Sequence, residues 1–197
     1  MGYSDYKKIE SVIEKFNLDM RLLTLFGKIE NVEPSGWLIE SLERARVMPL
    51  RNEKTKAERI ISPILLEVAQ QYVGQITFFS GEQINVSSSE DLVGECDFFF
   101  ALHPPKLYID APIISLAEAK KEDMDWGIAQ CAAQMLGAKI FNEVKGRNVP
   151  FIYGCATDGV QWQFLKLEND VYHVDNNVFT NLPEILGVWH HIIKLYL

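Results

Sequence analysis

The chain has 197 residues, of which 48% are hydrophobic and 23% charged, and its formal net charge is −8. A chain of this length buries a substantial core as one domain, or one domain with an appended piece. The composition is that of an ordinary globular protein, and the negative charge excludes a nucleic-acid binder driven by bulk positive charge, since phosphate neutralisation needs Lys and Arg.

A local basic patch remains compatible with that balance. No run of about 18 apolar residues occurs, so no membrane-spanning helix and no membrane partner is expected. The amino-terminal stretch lacks the apolar segment of a secretory signal directly after its charges. Cys96, Cys131 and Cys155 lie far apart inside apolar runs, cannot all pair, and do not have zinc spacing. They read as buried free thiols in a reducing compartment, hence a cytoplasmic protein.

In chain order, Tyr6, Ile9, Val12, Ile13 and Phe16 recur at helical spacing. Residues 3–27 therefore read as helix, with a break at Asn17-Leu18-Asp19 before Leu22 and Phe26. Glu33-Pro34-Ser35-Gly36 is a turn, and residues 37–47 read as a second amphipathic helix ending before Pro49. Residues 1–50 are thus expected to form a helical extension packed on the core, as a cap or a homodimer contact. Residues 51–197 are expected to be the core of the same globular unit.

Residues 53–72 read as the next helix, with Ile60, Ile61, Ile64, Leu65, Val68 and Tyr72 as its apolar stripe. Pro63 inside it predicts a kink, or a restart capped by Ser62. Glu58 and Glu67 are about 180° apart around such a helix and so face opposite sides. Arg44, Arg46, Arg51, Lys54, Lys56 and Arg59 form the densest cationic stretch. It reads either as a solvated helix surface or as a DNA-contacting strip, with Arg51, Lys54 and Arg59 as the candidate contacts.

Short strand pieces are expected at 76–79 and 83–86, on either side of Ser80-Gly81. The run Leu92-Val93-Gly94-Glu95-Cys96-Asp97-Phe98-Phe99-Phe100 places an acid, Asp97, among aromatics. Pro112-Ile113-Ile114-Ser115-Leu116-Ala117-Glu118-Ala119-Lys120 is a second buried strand whose far end turns charged. With a period of two, Glu118 and Lys120 share one face. A carboxylate and an ammonium at the end of a core strand are costly to desolvate without partners. Pairing these two strands would gather Asp97, Glu118 and Lys120 into a hard-cation site with a cation beside it. Glu-x-Lys on an exposed strand would be a solvated face, and backbone N–H groups can satisfy a buried Asp97, but both runs are too apolar for surface strands. Glu95 shares Asp97's face by parity, as an outer ligand or a solvent-facing residue.

The acidic turn Lys121-Glu122-Asp123-Met124-Asp125 precedes a helix expected at 126–145, apolar nearly all round and so buried on more than one side. Gln130 and Gln134, at i and i+4, share one face. Gln130, nearer the helix start and the Glu118 strand, is the site candidate, against a structural role for the same amide. Strands at 149–156 and 161–167 flank the Asp158-Gly159 turn, a short third follows at 171–174, and Asn181 caps a last helix. His190 and His191 are adjacent there, face different directions and make no metal pair. There are no repeats, no Gly-rich phosphate loop and no Ser-His-Asp arrangement.

With 76–86 counted as one interrupted strand, the order from residue 53 is helix, three strands, helix, strand, with Asp97 and then Glu118-Ala119-Lys120 on the second and third strands. This resembles the PD-(D/E)XK nuclease superfamily, the restriction-endonuclease-like fold, whose αβββαβ core carries such motifs at the same strand positions. The resemblance covers about residues 53–157 and is carried by NEKTKAERIISPILLEV, GECDFF and LAEAKKEDMDWGIAQC, which have counterparts in compact bacterial stand-alone members. Cys96 stands where the motif name has proline, as in many members.

The resemblance implies an α/β (α+β) fold with a central mixed sheet flanked by helices. It implies Asp97 and Glu118 as Mg²⁺ ligands, with Mn²⁺ able to substitute and the Ala119 carbonyl assisting. Lys120 would orient the attacking water and stabilise charge on the phosphate, Glu58 would be an additional acid, and Gln130 the helical glutamine. The implied function is a Mg²⁺-dependent deoxyribonuclease. The competing expectation is a nuclease-fold module that keeps these residues but works in DNA or protein binding and assembly.

Overall fold

A computed structural model describes residues 2–87, 89–120 and 123–197; Lys121 and Glu122 of the expected acidic turn lie outside the described residues. The fold is mixed α/β, a seven-stranded sheet of order β1-β7-β6-β5-β4-β3-β2 with helices on both faces. The strands are β1 Asp19–Leu23, β2 Thr77–Gln83, β3 Glu95–Ala101, β4 Ile113–Ala119, β5 Ile152–Thr157, β6 Trp162–Glu168 and β7 Val171–Phe179. The helices are α1 Ile9–Phe16, α2 Gly36–Arg46, α3 Glu53–Lys56, α4 Ser62–Gln70, α5 Met124–Val144 and α6 Leu182–Lys194. The β4–β5 and β1–β7 pairs are parallel and the rest antiparallel. No helix among the described residues is long and apolar enough to cross a membrane.

Four expectations are corrected. Residues 1–50 are not all helical: Asn17 adopts a left-handed conformation, φ 52°, which ends α1, and the chain leaves it extended as β1 alongside β7. Pro63 does not restart its helix from a Ser62 cap. Ala57–Ile61 forms a π-helical segment in which the Ser62 N–H bonds the Ala57 carbonyl. The wider turn leads straight into α4, and the N–H that proline lacks falls where the i→i−4 ladder is already interrupted. The two strand pieces around Gly81 are one strand, β2, because Gly81 takes φ 67° within it. β7 also runs on to Phe179, well past the expected end at 174.

Each sheet face has its own core. Phe98, Phe100, Ala117 and Phe164 pack with Ile61, Leu65, Val68 and Trp189 on the α4 and α6 side. Phe99, Leu116, Ala156 and Leu165 pack with Ile128, Cys131, Ala132 and Met135 of α5 on the other. The three thiols are buried and unpaired. Glu67 is also buried, turned away from Glu58's side as its spacing predicts. Its carboxylate accepts from the Ser35 N–H at 2.7 Å and the Ser35 hydroxyl at 2.8 Å, which ties α4 to the start of α2.

Two packing details set the direction of the functional residues. In β4, Ala101 pairs with Ile113 and Phe100 with Ser115, so Ile114 is an extra residue that shifts the alternation. Beyond it Leu116 faces the α5 core while Ala117 and Ala119 face the other. Glu118 is thereby aimed at α5. On α5 itself Gly137 lets Tyr3 lie flat against the helix, where the Tyr3 hydroxyl donates to the Ile84 carbonyl at 2.8 Å; a Cβ at 137 would overlap that hydroxyl.

Gly137→Ala would ordinarily stabilise a helix interior by ~1 kcal/mol. Here the overlap with Tyr3 outweighs that gain, since overpacking costs ~1–3 kcal/mol. Urea unfolding should therefore show net destabilisation, reversed to a gain when the same change is made in a Tyr3→Ala background. Stabilisation in the otherwise wild-type chain would contradict this packing.

Candidate active site

The site is built where two strands part. β3 and β4 pair as far as Phe98 and Ala117 and then separate, while β4 stays joined to β5 through Ala119 and Thr157. The Ala119 N–H, on the side facing β3, is left without a strand partner. The Asp97 carboxylate replaces it, accepting from Ala119 N at 2.8 Å. The gap opens into a cleft of about 560 Å³ walled by α3 and the π-helical segment, the β2 and β3 ends, the start of α5, and the amino-terminal residues Tyr3 and Ser4.

Glu118 lies at its floor and is 1% exposed. One carboxylate oxygen accepts from the Gln134 amide at 2.7 Å and the other lies 3.2 Å from the Lys120 ammonium. Lys120 is held on every side. Its ammonium sits 5.0 Å from the Trp126 ring centroid and 3.8 Å from Glu53. Its aliphatic stem fills the space left by Gly127, where a Cβ would come within 3.0 Å of Lys120 Cγ and 3.3 Å of Ala156 Cβ. Asp123 caps α5, its carboxylate accepting from the Trp126 N–H at 3.0 Å, which places that indole. The indole N–H in turn donates to the Ser4 carbonyl at 3.1 Å.

The electrostatics follow from this crowding. Burial pushes the Glu118 carboxyl up to about 8, and the charge of Asp97 adds to it, against Lys120 and Gln134. Burial also raises Asp97, opposed by the Ala119 N–H and by Lys120. Among the described residues, five carboxylates line the cleft (Glu53, Glu58, Glu95, Asp97, Glu118) against two lysines, Lys54 and Lys120, an excess of negative charge.

Asp97, Glu118, Lys120, Gln130, Glu58, Glu95 and Lys54 all line this one cleft, although they come from separate stretches of sequence. Arg51 and Arg59 do not line it; both are exposed. Arg59 follows Glu58 by one position on the π-helical segment and so turns off the cleft wall. Glu58 is itself exposed, 3.9 Å from Lys54. The amide on Glu118 is Gln134, not Gln130, because α5 crosses β4 one turn further along than its start suggests. Gln130 is 7% exposed, and its side-chain carbonyl has no hydrogen-bond partner among the described residues. Glu53 and Trp126 were not anticipated: Glu53 reaches Lys120 from far along the chain, and Trp126 reaches it from the first turn of α5, a contact set by where that helix starts. His190 belongs to the opposite core, its ring nitrogen 2.9 Å from the Tyr72 hydroxyl.

No protein-family model matches the chain, and no curated protein matches it in sequence. Among the described residues no three His, Cys, Asp or Glu side chains converge as a ready-made metal cage. Mg²⁺ does not need one, since it is bound through one or two carboxylates with water and substrate oxygens completing its shell. Asp97 and Glu118, with the unpartnered Gln130 oxygen in the same cleft, fit that donor set.

Asp97→Asn keeps an oxygen for the Ala119 N–H and removes one of two repelling charges. With chelator present it should unfold at the wild-type temperature or above, a gain on the order of 1 kcal/mol at most. Asp97→Ala strands that N–H and should cost ~1–3 kcal/mol. Thermal unfolding of the two variants checks the order, and an asparagine variant less stable than the alanine one would contradict it.

Proposed function

We propose that the protein is a divalent-cation-dependent nuclease of the PD-(D/E)XK, restriction-endonuclease-like class, hydrolysing phosphodiester bonds of DNA in this cleft. The observation that carries the reading is the meeting of Asp97, Glu118 and Lys120 where β3 and β4 separate. The order of elements supports it: a helix at 53–70, the antiparallel run β2-β3-β4, α5, and β5 parallel to β4.

Asp97 and Glu118 would hold Mg²⁺ or Mn²⁺. Bound there, the cation would supply Lewis-acid polarisation of the phosphate and acidify a water. The remaining work falls to the protein's own groups. Lys120, fixed between Glu118 and Trp126, presents a preorganised positive charge to the phosphate oxygens as negative charge grows on them. The Gln130 carbonyl, with no donor among the described residues, would orient the attacking water. Lys54 at the rim is placed for a backbone phosphate. The excess of carboxylates makes DNA binding depend on cations, because an acid-lined cleft repels a polyanion until its charge is met.

Purified protein should cleave at least one of single-stranded, duplex, nicked and branched DNA when Mg²⁺ or Mn²⁺ is present, and none with chelator. Lys120→Ala should fold and show cleavage reduced by at least about 100-fold, the scale of one transition-state charge contact. Wild-type turnover by folded Lys120→Ala would remove the nuclease assignment. A folded wild type inactive on all four DNAs would favour the binding-module function instead.

DNA contact by the cationic strip has its own readout. Reversing the charges of Arg51 and Lys54 together should flatten the log–log salt dependence of DNA affinity by about 0.9 for each phosphate no longer neutralised. An unchanged slope would return Arg51 and Lys54 to the solvated helix surface.

A further inference from the structure

The sheet has two free edges, β1 and β2, and they differ. β2 carries Gly81 at φ 67° and borders the cleft through Ser80 and Gly81, so its edge is bent and committed to the site. β1, Asp-Met-Arg-Leu-Leu, has no Gly, Pro or Lys, the residues that commonly blunt an edge. It also exposes apolar side chains: Met20 is 39% and Leu22 64% exposed. Both line a hollow of about 480 Å³ with Ile128 and Val174, which charged residues such as Lys8, Glu10 and Asp125 also line.

The direction of the free backbone groups can be read from one hydrogen bond. Asp19 N–H bonds the Asp170 carbonyl on the β7 side at 3.1 Å. Alternate peptide groups point to opposite edges, so positions 19, 21 and 23 turn toward β7, while Met20 and Leu22 turn outward. A second copy adding antiparallel about a twofold axis must set outward positions opposite each other. With Met20 opposite Leu22, Arg21 meets Arg21. With Leu22 opposite Leu22, Arg21 meets Leu23. With Met20 opposite Met20, Asp19 meets Arg21 twice over, and Leu18 meets Leu22. In that register the charged pairs fall at the non-hydrogen-bonded positions, where side chains are closest and opposite charges favour pairing.

We propose that the protein forms a homodimer through antiparallel β1–β1 pairing centred on Met20, joining two sheets into one continuous sheet with reciprocal Asp19–Arg21 ion pairs across the axis. The contact lies in the strand between α1 and α2, not in the helices. The strip is self-complementary in charge, exposed on both faces and apolar on one of them, which is what a second copy of itself requires.

Sedimentation or light scattering on the full chain across a concentration series tests this. Wild type should run at twice the monomer mass. Asp19→Arg and Arg21→Asp should each weaken the dimer at least tenfold, since each sets like charges against one another at both ends. The double variant Asp19→Arg/Arg21→Asp should recover it. So should an equimolar mixture of the two single variants, which sets an all-positive strand against an all-negative one. Circular dichroism checks that each variant is folded, and the double variant carries the test if a single reversal disturbs the fold. A monomeric wild type, a dimer indifferent to the single reversals, or a double variant and mixture that stay monomeric would each overturn the proposal.

Discussion

The structure depends on the hydrogen bond from the Ala119 N–H to the Asp97 carboxylate. A sheet whose strands separate leaves backbone donors without partners, and a buried donor without a partner costs about as much as a missing hydrogen bond. Asp97 meets that demand from the neighbouring strand, so β3 and β4 can diverge after Phe98 and Ala117 without penalty. The divergence is what makes room for a cleft at the end of a core strand. It also fixes Asp97 beside the residues that β4 carries next, Glu118 and Lys120.

The same arrangement concentrates negative charge where water is scarce. Desolvation acts on Glu118 and Asp97 alike, and Lys120 is the shared cation between them. The surroundings lock Lys120 in position, through the Trp126 ring, the space at Gly127 and the Glu118 carboxylate. A lysine held this firmly has given up the conformational freedom that usually limits an ion pair, and its charge is available in a defined place. Structure of this kind is costly for stability alone. It suits the proposed site, where a bound cation would offset the carboxylates that line the cleft among the described residues.

Much of this was legible in the sequence, and the parts that were not share a cause. The parity of Glu118 and Lys120, the apolar setting of Asp97 and the opposed directions of Glu58 and Glu67 follow from strand and helix periods, which are local. β1 was missed because a five-residue strand with four exposed residues carries no burial pattern; its extended form is imposed by β7, far along the chain. The continuity of α4 through Pro63 depends on a π turn that no propensity announces. Gln134 was visible as Gln130's neighbour on the helix face, but choosing between them required the crossing position of α5 over β4, which packing decides. Glu53 and Trp126 meet Lys120 only because three elements converge on it.

In the proposed reading Asp97 and Glu118 form one cation site completed by a divalent ion. Titrating Mn²⁺ into metal-free protein and following the free ion by electron paramagnetic resonance tests this without a substrate. Wild type should take up Mn²⁺ saturably, in competition with Mg²⁺, and the Asp97→Asn/Glu118→Gln double variant should leave the free-ion signal untouched. Absence of uptake by wild type, or equal uptake by the folded double variant, would contradict the account.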